Sequence, residues 1–327
     1  MKDLRFILSF LFLFSLSVSA QETIKTFEGE KINSTFSVVD GRFNGNYTSF
    51  YKDGTKRAEG TFENNMRIGV WTVWDSTGNM RMQRNYSDQF TFKRIIPEVP
   101  SDKPIQLLNI PRYKIEYNQE GFIPYAYVKE ANVSYHKRIW RFISPKENPL
   151  LFKNNRLFKL FNKHILDSTI KAYSPIDDEF RKEFIPQINT SNLEVIGFKI
   201  KEDFFFDMNR IVSEKRIIGI CPVVINKETK DTIDIYWVYF PEIRKYLAQE
   251  KIQEKNLPSK IKTFDDLFFY RYFYGIIHKE SNVYDRFLTD YLYGEELMKK
   301  AESIEFLLIE IEHDIWIGLT KTPNTSK

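Results

Sequence analysis

The sequence predicts an α+β protein in which helices are mixed with antiparallel hairpins, preceded by a small all-β module of hairpin repeats. Three observations predict this class. Glycine and aromatic residues recur at an offset of 24 residues, as between Gly45 and Gly69, which is typical of repeated hairpins. Two runs rich in β-branched residues, 217–225 and 232–240, flank a short charged turn. Apolar residues at helical spacing occupy segments on either side of those runs.

The first twenty residues have the composition of a secretory signal peptide. Lys2 and Arg5 precede an apolar run at 6–16, and small residues end the segment at Ala20. The run is shorter than the roughly 20 apolar residues that a membrane-spanning helix needs. We therefore expect cleavage after Ala20, export, and no transmembrane segment, with an uncleaved N-terminal anchor as the alternative. The single cysteine, Cys221, excludes an internal disulfide framework, so a packed core must stabilise the chain.

Residues 21–88 are predicted to form the hairpin-repeat module. Its two units read GNYTSFYKDGTKRAEGTF and GVWTVWDSTGNMRMQRNY, and Gly54 and Gly78 occupy the turn position that favours a positive φ. Alternating aromatic residues give each hairpin one apolar face, which a single hairpin cannot bury alone. We expect the preceding strand at 34–39, or the main domain, to cover this face. The units are similar to MORN-variant repeats, which implies either a surface that binds a protein or the cell envelope, or a purely structural module.

Residues 89–121 are predicted to form a linker or an extended arm, because prolines interrupt the segment at positions 97, 100, 104 and 111. The main domain is predicted to span 122–318. The polar tail at 319–327 is expected to be disordered.

The main domain is predicted to contain a helix within 155–173, followed by the hairpin described above. Pro222 lies in the first strand of that hairpin and cannot donate a backbone hydrogen bond, so this strand is expected at a sheet edge or at a bulge. A further helix is expected from Pro241 to about residue 254, because proline is favoured at the first helical position.

Two more helices are predicted towards the end of the chain. The stretch 263–286 carries apolar side chains on every side of any helix that it forms, with Thr263 as N-cap and Asp266 near the third position. Such a helix must be covered all round, by a large core or by a neighbouring subunit. The final helix is predicted at 295–316, and its apolar residues form a seam that lies on its own domain or packs against another helix. The seam residues are Leu297, Ala301, Ile304, Leu308, Ile311 and Ile315.

The sequence contains no nucleophile elbow, P-loop, dinucleotide-binding glycine motif or zinc-protease motif. Cys221 lies in an apolar strand, where a thiol behaves as a small hydrophobe, and His164 is expected to be a hydrogen-bonded core residue. Glu312, His313 and Asp314 are adjacent on a helix and point about 100° apart, so they cannot share a metal ion. The net charge of +4, from 48 basic and 44 acidic residues, is too balanced to favour nucleic acid as a partner. We therefore predict a protein that is not an enzyme and that uses no cofactor or metal.

Four segments together resemble one family: 125–140 (YAYVKEANVSYHKRIW), 216–222 (RIIGICP), 236–242 (YWVYFPE) and 263–286. They are similar to the GldN/PorN family, periplasmic components of the type IX secretion and gliding motility machinery of Bacteroidota. The resemblance covers about 123–316. It implies a non-enzymatic structural subunit of a periplasmic ring, which binds an outer-membrane lipoprotein of the GldK/PorK type and further copies of itself. The chain would then be peripheral to the outer membrane.

The glycine-aromatic repeats are not usual in this family and leave an alternative open, an exported adaptor whose repeats bind another protein or the cell envelope. The aromatic content, 29 Phe, 18 Tyr and 5 Trp, is that of a protein with a large interface, although cores also use aromatic residues. We predict that the interface draws on the apolar stretch, the turn after it and the seam of the final helix. The candidate interface residues are Phe264, Phe268, Tyr270, Arg271, Tyr274, Tyr284, Arg286, Leu297, Ile304, Leu308 and Ile311.

Overall fold

The computed structural model describes residues 21–28, 31–88, 91–96, 116–177, 179–186, 192–254 and 256–320. In these residues two antiparallel sheets and five α-helices account for the α+β class predicted from the sequence. The predicted signal peptide, most of the predicted linker and residues 321–327 of the tail lie outside the described part of the chain.

The N-terminal sheet contains the glycine-aromatic repeats. Its strands are β1 (Glu22–Glu28), β2 (Lys31–Val39), β3 (Arg42–Phe50), β4 (Lys56–Glu63), β5 (Met66–Trp74), β6 (Met80–Asp88) and β7 (Thr91–Ile96). They pair in chain order, so the sheet is a continuous meander. The two predicted hairpins are β3–β4 and β5–β6, and the turn residues Gly54 and Gly78 have φ of 90° and 83°. The hairpins are compatible with MORN-type repeats. β2 pairs with β3, so it flanks the repeats on one edge of the sheet.

The second sheet forms the centre of the main domain. Its strands are β8 (Val133–Ile143), β9 (Ala172–Tyr173), β10 (Leu193–Asp207), β11 (Val212–Asn226), β12 (Thr232–Asp234), β13 (Trp237–Tyr239) and β14 (Ile276–Glu280), in the order β14-β8-β10-β11-β13-β9 with β12 also on β11. The predicted hairpin is confirmed, because β11 pairs with both β12 and β13. Pro222 lies inside the sheet and not at its edge. The pairing of β11 with β12 and β13 is interrupted between Asp234 and Trp237, opposite Pro222. The backbone N–H that proline lacks would therefore fall at an irregularity of the sheet.

The five helices are α1 (Pro149–Phe152), α2 (Arg156–Leu166), α3 (Phe240–Leu247), α4 (Phe264–Phe269) and α5 (Gly294–Thr320). α2 and α3 lie where helices were predicted but end earlier than expected, whereas α5 extends beyond residue 316. Helices α1 to α4 bury their apolar residues against one face of the second sheet, around Phe198, Ile200 and Ile220.

The prediction of a long apolar helix after Thr263 was wrong. The start is as expected, since Thr263 Oγ1 accepts from the Asp266 amide at 3.2 Å and Asp266 Oδ2 accepts from the Thr263 amide at 3.0 Å. The helix ends after Phe269, and Arg271 adopts a left-handed φ of 55°. The chain then turns into β14, which pairs with β8. A continuous apolar run does not distinguish a buried helix from a buried strand, and here the second half of the run is a strand.

Helix α5 lies between the two sheets and completes the core of both. On one side Phe306, Ile309 and Trp316 pack among the aromatic residues of the N-terminal sheet. On the other side the predicted seam residues Ile304 and Leu308 pack against the second sheet. The main domain therefore covers the aromatic face of the repeats, as the sequence predicts for a small hairpin array.

Buried charges join α5 to the second sheet. Arg141 on β8 pairs with the fully buried Glu202 and, at 2.5 Å, with Glu305 on α5. Lys215 on β11 pairs with the same Glu305. A second buried pair, Arg67 with Glu312, joins α5 to the N-terminal sheet. Arg141, Glu202, Arg67 and Glu312 are buried, and Glu305 and Lys215 are partly buried, so these compensated charges help to fix how α5 sits between the sheets.

The buried carboxylates make stability depend on pH. Burial alone would raise the pKa of Glu305, but attraction to Arg141 and Lys215 outweighs burial and lowers the pKa well below its ordinary value of 4.5. At Glu202 burial is again opposed and outweighed, first by Arg141, so its pKa is also lowered. A carboxylate of this kind stabilises the fold above its unfolded-state pKa, and that stability is lost as pH falls towards the folded-state pKa. We expect the free energy of unfolding to decrease steeply below about pH 4.5.

The Glu305→Gln variant should show a shallower decrease, because one linked proton is removed. Acid titration followed by circular dichroism, with urea unfolding at each pH, measures the slope. The control is Glu296→Gln, at an exposed position near the start of the same helix. If both variants kept the wild-type slope, Glu305 would not carry the pH dependence.

Candidate protein interface

The structure divides the predicted interface residues into three groups. Five are buried in the chain's own core: Phe264, Phe268, Tyr270, Ile304 and Leu308. Four are partly buried: Arg271, Tyr274, Leu297 and Ile311. Two are exposed: Tyr284 and Arg286. The buried group forms no surface in this structure, because the side chains of α4 and Tyr270 pack in the core of the second sheet and those of α5 pack against the same sheet. The motive for choosing them, a helix apolar on all sides, disappears with the short α4.

The partly buried residues have internal partners as well. Arg271 pairs with Glu202 at 2.8 Å. The Tyr274 ring lies against Gly41 of the N-terminal sheet. Ile311 lines a shallow apolar groove with Tyr135.

The exposed residues belong to a loop on the outer face of the second sheet, opposite helices α1 to α4. We call residues 174–186 the first outer loop and residues 281–293 the second outer loop. A row of paired residues, Lys279, Trp140 and Lys201, crosses three neighbouring strands beneath them. This row anchors both loops.

The second outer loop is anchored through Lys279. Its Nζ lies 4.6 Å from the ring centroid of Trp140 and 4.6 Å from that of Phe287, so the cation is held between two aromatic rings. The same nitrogen lies 2.7 Å from Asp285 Oδ1. The Asp285 carboxylate therefore turns towards the sheet. Arg286 lies over the ring of Tyr284, at 5.4 Å.

The first outer loop is anchored through Lys201. Its Nζ lies 5.6 Å from the Trp140 centroid and 5.5 Å from that of Phe180, and it pairs with Glu179 at 3.0 Å. Arg138 links the loops, since its guanidinium pairs with Glu179 at 3.2 Å and its backbone amide donates to Ser281 Oγ at 3.3 Å. The two loops are therefore held side by side on one support.

Apolar side chains at the tips of these anchored loops point into solvent. Val283 is 98% exposed and Tyr284 78% exposed in the second outer loop. Ile176 and Ile185 are 96% and 91% exposed in the first. The turn that carries Val283 is rigid, because Asn282 Oδ1 accepts from the amides of Tyr284 and Arg286 at 3.0 and 3.2 Å. Exposed apolar residues on an ordered support are typical of a protein interface.

The groups most capable of chemistry are buried. Burial raises the pKa of the Cys221 thiol, which favours its neutral, unreactive form. Burial, together with the nearby Lys199 and Lys279, lowers the pKa of His278 to about 3. Among the described residues no group of acidic, histidine or cysteine side chains has the arrangement of a metal site.

A cavity of about 180 Å³ lies where the N-terminal sheet, β14 and α5 meet. Most of the charged residues that line it form ion pairs within the protein, among them Arg67 with Glu312 and Lys215 with Glu305. Such pairs stabilise the packing of the two sheets on α5 and leave the outer loops as the better candidate site.

The sequence model of one family, described as "Gliding motility associated protein GldN", matches residues 128–194 and 182–317, together more than half of the chain. The chain belongs to the GldN family. The GldN region contains the whole second sheet, both outer loops and nearly all of α5, while the N-terminal sheet lies outside it. No curated protein matches the chain.

Membership makes the chain a component of the gliding motility and type IX secretion apparatus of the cell envelope, and the GldN family is structural in character. None of the described helices combines the length and the apolar character needed to cross a bilayer.

Sequence reasoning selected Tyr284 and Arg286 but missed Val283, Ile176 and Ile185. A signal was present. Val283 follows Asn282 in a polar turn, and Ile176 follows a Ser-Pro pair, so both are apolar residues inside turn sequences. An apolar side chain in such a place has no strand or helix face to bury it.

Proposed function

We propose that the chain is a non-enzymatic structural subunit of a periplasmic ring-type complex that supports type IX secretion and gliding motility. In this proposal it contacts an outer-membrane lipoprotein of the GldK/PorK type and further copies of itself, and it reaches the outer membrane through that partner. Family membership supports the machinery, and the outer loops supply a surface for the contacts.

The observation that carries the proposal is the exposure of Val283 and Tyr284 on the second outer loop and of Ile176 and Ile185 on the first. Binding an unanchored loop would cost conformational entropy, whereas these loops are already fixed by the cations of the sheet. Tyrosine is common at the centres of interfaces because it buries a large area with few rotatable bonds. Partner contact is therefore assigned to the outer face of the second sheet.

The adaptor alternative assigns recognition to the repeats. Their aromatic residues, including Tyr47, Phe62 and Trp71, are buried against α5. A partner could use only the opposite face of that sheet, on which Thr48 is partly buried and Thr72 is buried. The aromatic residues of the repeats named above are not available to a partner, whereas Tyr284 of the second outer loop is 78% exposed, so the subunit proposal is the better supported.

We expect the double variant Val283→Asp, Tyr284→Asp to lose partner binding while keeping its fold. Two charges placed at an interface centre should reduce co-purification with the lipoprotein by at least about tenfold, since hot-spot residues contribute 2 kcal/mol or more. The measurement is recovery of the complex, and its size, from detergent-extracted envelopes. Circular dichroism checks the fold.

The matched control is Val70→Asp, Tyr127→Asp. It makes the same two exchanges at exposed positions, 48% and 85% respectively, away from the outer loops. The control should co-purify like the wild type. Equal recovery of both double variants would remove the outer loops from the interface, and a wild-type chain that recovered no lipoprotein would remove the proposed function.

A further inference from the structure

The segment 149–166, which contains α1 and α2, concentrates positive charge. Residues 149–166 contain four basic residues, Lys153, Arg156, Lys159 and Lys163, and no acidic residue. On α2 the three cations are three or four positions apart and share one side of the helix with Leu166. The opposite side of α2 is buried in the core, so the basic side faces outward. We call Lys159, Lys163 and Leu166 the basic α2 face.

The charge on this face is only partly neutralised within the chain. Arg156 pairs with Glu250 at 2.6 Å, and Lys153 pairs with Glu254. In the part of the chain that the structure describes, Lys159 and Lys163 form no ion pair. Both side chains are exposed, and the nearby acidic residue Asp167, four positions after Lys163, is exposed as well and forms no ion pair with either lysine in the described structure.

An apolar residue ends the face. Leu166, the last residue of α2, is 72% exposed. A helix that combines outward cations with an exposed leucine has the properties of an interfacial helix, whose lysines contact anionic headgroups while the apolar side chain enters the boundary layer. In the proposed function the lipoprotein partner holds the chain at a membrane, so anionic lipid headgroups lie within reach of this face. The two features together favour a lipid surface.

We propose that the basic α2 face rests on an anionic phospholipid surface. This inference rests on the proposed function, which brings the chain to a membrane through its lipoprotein partner. It adds a direct contact between the chain and lipid headgroups, which sets the orientation of the subunit on the membrane.

The fold lets both contacts form together. Phe161 of α2 packs on Phe198 of β10, with ring centroids 6.3 Å apart. The next residue of β10, Lys199, faces the other side of the sheet, where its Nζ lies 6.0 Å from the Phe287 centroid of the second outer loop. The basic α2 face and the outer loops are therefore on opposite sides of one sheet. A lysine near an anionic surface strengthens binding only about fivefold, but weak contacts of many adjacent copies multiply in a ring.

The test is flotation of the purified full-length protein with lipid vesicles. We expect binding at low salt to vesicles that contain phosphatidylglycerol, and none to vesicles of phosphatidylcholine and phosphatidylethanolamine. Binding should be lost at about 1 M salt, where electrostatic attraction is screened within about 3 Å. The variant Lys159→Glu, Lys163→Glu should bind at least about thirtyfold more weakly, as two favourable contacts are removed and reversed.

The matched control is Lys299→Glu, Lys300→Glu on the exposed side of α5, which changes the net charge by the same amount. The control should keep vesicle binding. An equal loss of vesicle binding in both variants would show that binding depends on net charge alone. A wild-type chain that does not bind anionic vesicles would overturn the inference. Co-purification with the lipoprotein in detergent is scored separately, so failure on vesicles with intact co-purification rejects the lipid contact and leaves the proposed function standing.

Discussion

Replacing Arg141 by methionine should lower the free energy of unfolding by about 3–5 kcal/mol, a large part of the stability of a typical domain. Arg141 is buried between Glu202 and Glu305 and donates to the carbonyl of Gly275 at 3.2 Å. Methionine fills much of the space but leaves Glu202, which is fully buried, with less positive charge to oppose it. An uncompensated buried carboxylate costs more than its ion pair contributes. Urea unfolding followed by tryptophan fluorescence gives the change.

Two controls separate buried charge from the loss of any ion pair. Lys171→Met removes an exposed pair with Glu183 and should leave the unfolding midpoint unchanged. The combined variant Arg141→Met, Glu202→Gln should recover part of the lost stability, because the carboxylate is then neutral. A loss below about 1 kcal/mol for Arg141→Met would mean that water reaches this cluster.

Replacing Trp71 by alanine should cost about 3–5 kcal/mol and loosen the N-terminal sheet from α5. Trp71 stacks on Tyr47 with centroids 5.5 Å apart, and its Nε1 donates to the carbonyl of Thr61 at 3.1 Å. Gly60 lies directly beneath the indole, where any side chain would clash: a Cβ would be 2.1 Å from the ring. The indole thus fills a space shaped for it. Besides urea unfolding, limited proteolysis should show faster cleavage within the sheet.

Trp74→Ala is the control for this prediction. It removes the same side chain three residues along β5, from a partly exposed position beside Lys56. A loss of about 1 kcal/mol or less is expected there. Equal losses at the two positions would show that the contact with α5 does not depend on Trp71.

The parts of the fold that short sequences determine were predictable. Gly54 and Gly78 occupy turn positions whose positive φ is a local property of the chain, so both hairpins were predicted at their observed places. The capping box of Thr263 and Asp266 likewise depends on neighbouring residues only, and it was confirmed at the start of α4. Local chemistry was sufficient in each case.

Features that depend on distant partners were harder to predict. Whether 270–280 forms helix or strand depends on β8, which lies more than a hundred residues earlier and offers an edge for pairing. The burial of Ile304 and Leu308 depends on two sheets that approach α5 from different sides. The candidate interface moved for the same reason. Most of the side chains chosen because they are apolar are buried or partly buried within the chain, and the exposed candidates lie in turns.

The position of α5 between the sheets also sets the order in which the molecule can be completed. The N-terminal meander is synthesised first, yet its aromatic side remains open until the last helix arrives, and Asn33 meets Glu310 across 277 residues of sequence. Contacts between residues so far apart in sequence slow folding, and the intermediates formed before they close are prone to aggregate. The aromatic face of the N-terminal sheet therefore stays uncovered until α5 has been made, which leaves it open to aggregation before the core is complete.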